Sequence, residues 1–557
     1  MDKIWLNSYE SNIAHHIDIT HYTSVVDMVA QSVRQFGDKI AFSSTTAPFS
    51  RDLTYEEVGE LSDHFAAYLQ QELKLRKGDR IAIMMPNILQ YPIAVFGALK
   101  AGLVVVNTNP LYTPRELEHQ LKDSGASAIV VLENFANTLE LVLPKVQIEH
   151  IIIANVGDMF GTLSGSLMNL VVRKVKKMVP NYQIEKAISF KDVLALGAKH
   201  TLKIPPLTRE DVAFLQYTGG TTGVAKGAIL THGNICANTL QGAEWIKKKL
   251  VRGEEVVIGA LPLYHIFALT INLLLFFHAG AQTLLITNPR DLDAFIDELK
   301  KREVTVFIGL NTLFNGLMNK PEFHKVNFDS WKLTLGGGMA TQEAVANKWR
   351  DVTGLPIIDA YGLTEASPGV CVNPLNTNKY TGSIGLPLPD TEVQIRDGNG
   401  KILPVGEVGE LWIRGPQVMR GYWNRPEETE KVLDTQGWLE TGDIAVMNEQ
   451  GYLKIVDRKK DLIIVSGFNV YPNEIEDVVA HHPKVQEVAC IGVKSEKTGE
   501  ALKLFVVRKD NSLTKDELVD YCRTQLTGYK VPREIEFRDE LPKSNVGKIL
   551  RRELRDK

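Results

Sequence analysis

Residues able to handle an anionic substrate are concentrated in Tyr217-Thr218-Gly219-Gly220-Thr221-Thr222-Gly223-Val224-Ala225-Lys226-Gly227, directly after the apolar run 212–215. The glycines let backbone amides turn toward an anion, the threonines add hydroxyl donors, and Lys226 brings a cation to phosphate oxygens. A Gly-rich hairpin with no ligand would read the same way. The stretch is not a Walker A loop, which needs Gly before its Lys and Ser or Thr after it, where Ala225 and Gly227 stand here. Ala228-Ile229-Leu230 then reads as a strand, so the loop is expected to join two strands. Phosphate would be held by amides without a helix dipole.

Three further stretches carry chemistry. Asp359-Ala360-Tyr361-Gly362-Leu363-Thr364-Glu365 places a ring, a hydroxyl and a carboxylate together after the apolar run 355–358. These suit base stacking, phosphate binding and Mg2+ respectively. Upstream, Gly336-Gly337-Gly338-Met339 ends another apolar run, where backbone can approach a ligand closely. Gly437-Trp438-Leu439-Glu440-Thr441-Gly442-Asp443 ends in a carboxylate able to accept from both hydroxyls of a ribose, or to close an Asx-turn. Pro542-Lys543-Ser544-Asn545-Val546-Gly547-Lys548 sets a lysine near Arg551 and Arg552, which in isolation reads as a solvated basic tail.

The elements that must position these groups follow from length and texture. A chain of 557 residues, 44% apolar and 23% charged, holds several structural units with sizeable cores. A net charge of -4 gives no reason to expect a nucleic-acid partner. Cys236, Cys371, Cys490 and Cys522 form no CxxC pair, which argues against zinc ribbons and dithiol redox sites and for reduced cytosolic thiols. The N-terminus turns polar before a signal-length apolar run can form, so a cytoplasmic location is expected. Residues 256–289 lack Asp, Glu, Lys and Arg, yet Pro262, His265, Asn272, His278 and Gly280 interrupt them, so buried strand, loop and helix are expected instead of a membrane span. From residue 30 to about 360, β-rich runs alternate with helix-length segments, the pattern of α/β layers with largely parallel sheets. After 380 shorter, Gly-rich strands suit a small β-barrel or an antiparallel piece. The chain from Tyr471 reads helix, strand, strand, helix, strand, polar loop and basic helix, a compact α+β unit, with a boundary near 457–460.

Taken in order, Lys226, Glu365, Asp443 and Lys548 resemble the adenylate-forming enzymes: acyl-CoA synthetases, peptide-synthetase adenylation domains and beetle luciferases. The likeness runs from Leu53-Thr54-Tyr55 to Arg552, and residues 437–444 and 451–460 resemble the signature of fatty-acyl-CoA synthetases, most of all those acting on long-chain acids. It implies an α/β fold with a large N-terminal domain of layered sheets plus a small β-barrel over 1–457, a hinge at 458–460, and a smaller mobile C-terminal α+β domain over 461–557. It implies ATP, a fatty acid and coenzyme A as substrates and Mg2+ as cofactor, and it leaves room for a homodimer.

Carried over residue by residue, the resemblance assigns Tyr217, Thr218, Gly219, Gly220, Thr221, Thr222, Gly223 and Lys226 to the phosphates. Gly338, Asp359, Ala360, Tyr361 and Gly362 surround the nucleotide, with Tyr361 stacked on adenine. Thr364 meets the α-phosphate, Glu365 with Thr218 holds Mg2+, Asp443 with Arg458 nearby takes the ribose, and Lys548 reaches the α-phosphate during adenylation. Lys460 is the hinge position, and Ser466, Gly467 and Phe468 line the thiol tunnel after a domain movement. Some relatives carry a lysine four residues past the hinge, where Ile464 stands here, so no role passes to it. His265 resembles a gate beside the acid carboxylate, though a His in an apolar run is commonly a bonded core residue. The Asp with which amino-acid-activating relatives pair the substrate amine is missing, which favours an apolar acid. The run 266–277 would line an alkyl tunnel or pack the core. A medium-chain or aryl acid is the alternative substrate. With residues 471–557 used up by the small unit, free coenzyme A is favoured over an attached carrier.

One feature stands apart from the resemblance. On a helix over 168–179, Met168, Val171, Val172, Val175, Met178 and Val179 share an arc opposite Arg173, Lys174, Lys176 and Lys177, and Pro180 stops it. Such a helix can lie on anionic lipid, giving peripheral contact with the inner face of the cell membrane, or dock on its own core.

Overall fold

A computed structural model describes residues 3–46, 49–218, 225–495, 497–544 and 547–555. The alternating pattern of the first 360 residues forms two large sheets. One has nine strands, running in space from Leu386–Pro387 through Gly369–Val372, Ile357–Gly362, Leu333–Gly336, Val306–Gly309, Val256–Gly259, Gln282–Leu285 and Ile40–Thr46 to Phe49–Thr54. The other has seven, from Ala187–Ser189 through His150–Ala154, Ala128–Leu132, Arg80–Met84, Val104–Asn107 and Val212–Thr218 to Lys226–Thr231. Pairing is parallel except near the sheet edges, where the chain folds back in hairpins. Ala128–Leu132 is buried at every position, as a parallel strand covered on both faces must be. The helices between strands begin on strong stops: Thr54 and Glu57 close a capping box at Tyr55–Gln71, and Thr231 and Asn234 close another at His232–Ile246.

The uncharged stretch 256–289 folds as expected into strand Val256–Gly259, helix Ile266–Ala268, a π-helical stretch Leu269–Leu275, helix Phe276–His278 and strand Gln282–Leu285. Among the described residues no helix is long and apolar enough to cross a membrane. Beyond 380, Glu392–Arg396, Gly409–Arg414, Leu439–Met447 and Leu453–Arg458 form an antiparallel four-stranded sheet. Its last strand does not close on its first among the described residues; Leu453 instead exchanges backbone bonds with Gly385 and Ile384. The antiparallel alternative therefore describes this piece, and a closed small β-barrel does not.

The chain leaves that sheet at Arg458 and enters a five-stranded sheet at Ile463, which carries helices Pro472–Ala480 and Lys515–Gln525 over a core of its own that includes Val470, Ile475, Leu504 and Leu518. The basic tail is not wholly solvated. Arg551 bonds Glu476 through two nitrogens, Asn473, Asp457 and Asp461, and Arg555 bonds Asp461, which ties the final helix to the turn after Arg458.

The amphipathic segment also departs from a simple helix. It runs as α-helix over Thr162–Leu170 and widens to a π-helical turn at Val171–Val175, so residues beyond 170 rotate away from the expected arc. Met168 and Val172 face the core, whereas Val175 and Met178 are exposed beside Leu163, Leu167 and Leu170. Arg173, expected on the outer face, turns in to the buried Glu133.

Candidate active site

The expected phosphate loop joins two strands. Val212–Thr218 and Lys226–Thr231 pair antiparallel, with Thr218 opposite Lys226. Gly219, Gly220, Thr221, Thr222 and Gly223 lie outside the described residues. Tyr217 donates its hydroxyl to Asp123 at 2.8 Å, and Asp123 also accepts from Arg425 at 2.8 Å. Burial and that carboxylate push the Tyr217 phenol well above its usual range. Lys226 pairs with Glu428 and lies 5.0 Å above the ring of Tyr422.

At the end of strand Ile357–Gly362, the Tyr361 hydroxyl donates to Asp443 Oδ2 at 2.6 Å. Asp443 is opposite Arg458 in its sheet, and the Arg458 Nε stands 3.4 Å from its other oxygen. The candidate adenine ring partner, ribose carboxylate and arginine therefore meet at one point. Asp359 accepts from the Thr341 hydroxyl, and burial pushes its carboxyl up to about 7. Thr364 and Glu365 form a single 3-10 turn; Glu365 Oε1 accepts from the Tyr422 hydroxyl at 2.7 Å, and its carbonyl accepts from Met419 N at 2.7 Å.

Lys548 enters from the C-terminal unit. Its amide donates to Ser544 Oγ at 3.1 Å, and Thr312 of the nine-stranded-sheet layer donates to Gly547 O at 3.3 Å, joining the two parts next to the lysine. Lys548 lines a cavity together with His265, Gly338, Ala360, Tyr361, Gly362 and Thr364. Gly338 has φ +77, a left-handed conformation that favours glycine, and a Cβ there would crowd Leu310 Cδ2 at 3.1 Å. Burial pushes the Lys548 ammonium down to about 8, Arg458 acting in the same sense and Asp443 and Glu365 against it. Burial, with Lys548 adding to it, holds His265 at about 3, so its imidazole is neutral at pH 7. Its Nδ1 accepts from Phe267 N at 3.3 Å, which assigns the ring proton to Nε2. The rest of the cavity wall is mostly apolar and includes residues of helix His232–Ile246 (Gly242, Trp245, Ile246), the 266–277 run (Phe267, Ile271, Leu275, Phe276) and the strand residues Val306, Leu333 and Leu335. Other members of that run, Leu269, Leu273, Leu274 and Phe277, pack the core.

Lys460 sits in the turn after Arg458, and burial, reinforced by Arg458, pushes it down to about 8. Ser466, Gly467 and Phe468 are not gathered with the others. They are exposed on a hairpin between Ile463–Val465 and Phe468–Val470, with Phe468 57% exposed and stacked on Tyr529. Sequence reasoning missed Tyr422, Glu428, Asp123, Thr341 and Thr312. The only local signal for the first two is an aromatic pair, Tyr422-Trp423, just before the acidic Pro426–Glu430 helix, and nothing in it points to residues 57 or 202 positions away.

Residues 29–423 match the AMP-binding enzyme family and residues 474–548 the AMP-binding enzyme C-terminal domain. The chain belongs to the AMP-binding enzyme family. Among its relatives, the long-chain-fatty-acid–CoA ligase of Escherichia coli O6:H1 is 56% identical, with 100% of this chain and 98% of that protein covered. The anthranilate CoA ligase AuaEII, solved with anthranoyl-AMP, superposes with a TM-score of 0.85 at 25% identity, covering 97% of this chain and 98% of that one. MatB from Rhodopseudomonas palustris, 26% identical over 95% of this chain and 98% of its own, superposes at 0.81 in its ATP-bound form and 0.72 in its apo form. This AMP-binding enzyme is thus arranged more like the ATP-bound form of that relative than like its apo form.

Proposed function

We propose that this AMP-binding enzyme activates long-chain fatty acids with ATP and transfers them to coenzyme A, giving acyl-CoA, AMP and pyrophosphate. The observation that carries this reading is one lysine, Lys548, placed with a neutral His265 in a cavity whose remaining wall is largely apolar. A cation serves the polyanion, and the apolar wall serves an alkyl chain at about 0.8 kcal/mol per buried methylene. The long-chain name of the 56%-identical relative supports the same substrate class.

In the first step the acid carboxylate attacks the α-phosphorus and pyrophosphate departs. Two anions must approach, so the site has to offset their repulsion. Lys548 does this at the α-phosphate, Lys226 and the amides of 219–223 do it at the β- and γ-phosphates, and Thr364 donates to the α-phosphate. Losing one preorganised contact of this kind costs about 3 kcal/mol, roughly 100-fold in rate. The Nε2–H of His265 bonds the acid carboxylate without adding a charge that would have to move. Tyr361 stacks on adenine between Gly338, Asp359, Ala360 and Gly362, and Asp443 exchanges its bond with Tyr361 for the ribose hydroxyls beside Arg458.

A magnesium ion would be held by Glu365 and Thr218. Among the described residues no three acidic, His or Cys side chains cluster, and Glu365 makes no ion pair. A single carboxylate with a hydroxyl suits an ion that keeps waters and takes its other ligands from nucleotide phosphates. When bound, it neutralises phosphate charge.

In the second step the thiol of coenzyme A attacks the acyl carbon and AMP leaves, and Lys548 is no longer required. Residues 461–557 then turn about 458–460, with Lys460 as the pivot, away from residues 1–457, and Ser466, Gly467 and Phe468 move from solvent to the thiol path. The exposed Leu163 (87%), Val175 (71%), Leu167, Leu170 and Met178, with Lys174, Lys176 and Lys177, set the enzyme on anionic lipid where its substrate is dissolved. The test of the function is AMP release over acids from acetate through benzoate and octanoate to oleate, with and without coenzyme A. Release that rises with chain length and needs coenzyme A for turnover is expected; preference for benzoate or octanoate would move the assignment to an aryl or medium-chain acid.

A further inference from the structure

The segment 419–429 touches three parts of the candidate nucleotide site, and Tyr422 is its centre. Its hydroxyl donates to Glu365 Oε1 at 2.7 Å, and its ring lies under the Lys226 ammonium at 5.0 Å. The tyrosine cannot drift, because its backbone is held on both sides. Ala228 and Tyr422 form an antiparallel bridge, Ile229 N donates to Gly421 O at 2.8 Å, Trp423 N donates to Gly227 O at 2.8 Å, and Tyr422 N donates to Thr429 Oγ1 at 2.8 Å. The strand after the phosphate loop and the turn that bears Glu365 belong to different sheets, and this one side chain spans them. With two oxygens and one hydroxyl donor on it, Glu365 is left with a defined direction for its second oxygen. The Lys226 ammonium is held by two partners, the ring beneath it and the Glu428 carboxylate with which it pairs.

We infer that Tyr422 is a positioning residue for the nucleotide: it aims Glu365 at the metal and holds the Lys226 ammonium over its own ring at the start of strand Lys226–Thr231, so that both are set before ATP arrives. This rests on the reading of Glu365 as a metal ligand, and the experiment separates the two. Binding of Mn2+ with a non-hydrolysable ATP analogue is measured by electron paramagnetic resonance, and metal-free binding of the same analogue by calorimetry, for wild type, Tyr422→Phe, Tyr422→Leu and Glu365→Gln.

Tyr422→Phe keeps the ring and loses the hydroxyl, so it should weaken Mn2+ binding in the ternary complex about tenfold and leave metal-free analogue binding unchanged. Tyr422→Leu should also weaken metal-free binding, roughly 2- to 5-fold, because Lys226 loses its platform. In both variants, supplied acyl-adenylate should still react with coenzyme A at the wild-type rate. Wild-type Mn2+ affinity in Tyr422→Phe, with Glu365→Gln impaired, overturns the inference. So does a loss that is equal with and without metal, which would mark a merely structural role. Wild-type Mn2+ affinity in Glu365→Gln would instead sink the metal reading on which it stands. If Tyr422→Leu fails to fold, the Tyr422→Phe comparison decides alone.

Discussion

Raising the pH through the range where the buried Lys548 ammonium discharges should switch off the first half-reaction and spare the second. An ordinary lysine stays charged past pH 10, but burial brings this one down to about 8. With that value the ammonium is about 90% charged at pH 7, half at pH 8 and about 10% at pH 9, so kcat/KM for ATP should fall about 5-fold between pH 8 and pH 9 and about tenfold between pH 7 and pH 9. Because the pKa is lowered, the charge is present below about 8 and lost above it. Bound ATP adds negative charge beside the ammonium and raises its pKa again, so the limb in kcat should lie at higher pH than the limb in kcat/KM. Lys548→Arg keeps a cation at all these pH values and should remove the limb; Lys548→Ala should lower adenylation about 100-fold at pH 7, or about 3 kcal/mol, also without a limb near 8. Lys460 titrates near 8 as well, so a limb that survives in Lys548→Arg belongs to the turn and not to the active site. The assay is acid-dependent pyrophosphate release over pH 6.5 to about 10, beside thiol consumption from supplied palmitoyl-adenylate. A limb near 8 in the thiol step, or its persistence in Lys548→Arg, would refute the reasoning.

Three further outcomes follow. A Cβ at Gly242 would stand 2.9 Å from Leu275 Cδ2 inside the apolar wall, so Gly242→Val should narrow the cavity and cost oleate more than octanoate, by about 4-fold in kcat/KM for each methylene excluded; equal losses would place the alkyl chain elsewhere. Changing Lys174, Lys176 and Lys177 to Glu, with Arg173 left on Glu133, should weaken flotation on anionic vesicles by about 3 kcal/mol, roughly 150-fold, at about 1 kcal/mol per lysine; unchanged flotation would return the segment to a structural role. Arg551→Met should lower the unfolding free energy by about 3 to 5 kcal/mol in urea, because the buried Asp457 and the half-buried Glu476 would lose their cation and Asp461 would keep only Arg555; a change under about 0.5 kcal/mol would show that the network is solvated.

The parts of the fold and site that were legible in the chain are those in which local chemistry dictates local geometry. The apolar runs at 81–84, 128–132 and 256–259 read as strands of largely parallel sheets because a strand covered on both faces has no polar side to show. The hairpin after Tyr217 was readable because Ala228-Ile229-Leu230 resumes a strand immediately. The open sheet after 380 was not, since closing or not closing a barrel depends on what Leu453 meets, and its partner Gly385 lies 68 positions earlier. Arg551 looked like tail because its carboxylate partners come from the turn at 457–461 and from helix Pro472–Ala480. The arc over 168–179 was drawn at 100° per residue, and a π-helical turn changes that angle. Tyr422 was invisible for the same reason as Arg551: its two partners belong to separate sheets, and only tertiary structure brings them to one ring.

The most direct test of the central claim follows oxygen. If the carboxylate attacks the α-phosphorus, a fatty acid labelled with 18O at both carboxylate oxygens must leave one label on the phosphoryl group of AMP after coenzyme A has taken the acyl group. Mass spectrometry of the AMP from one turnover should show one 18O per molecule and none in pyrophosphate. Unlabelled AMP, or label in inorganic phosphate, would contradict the account.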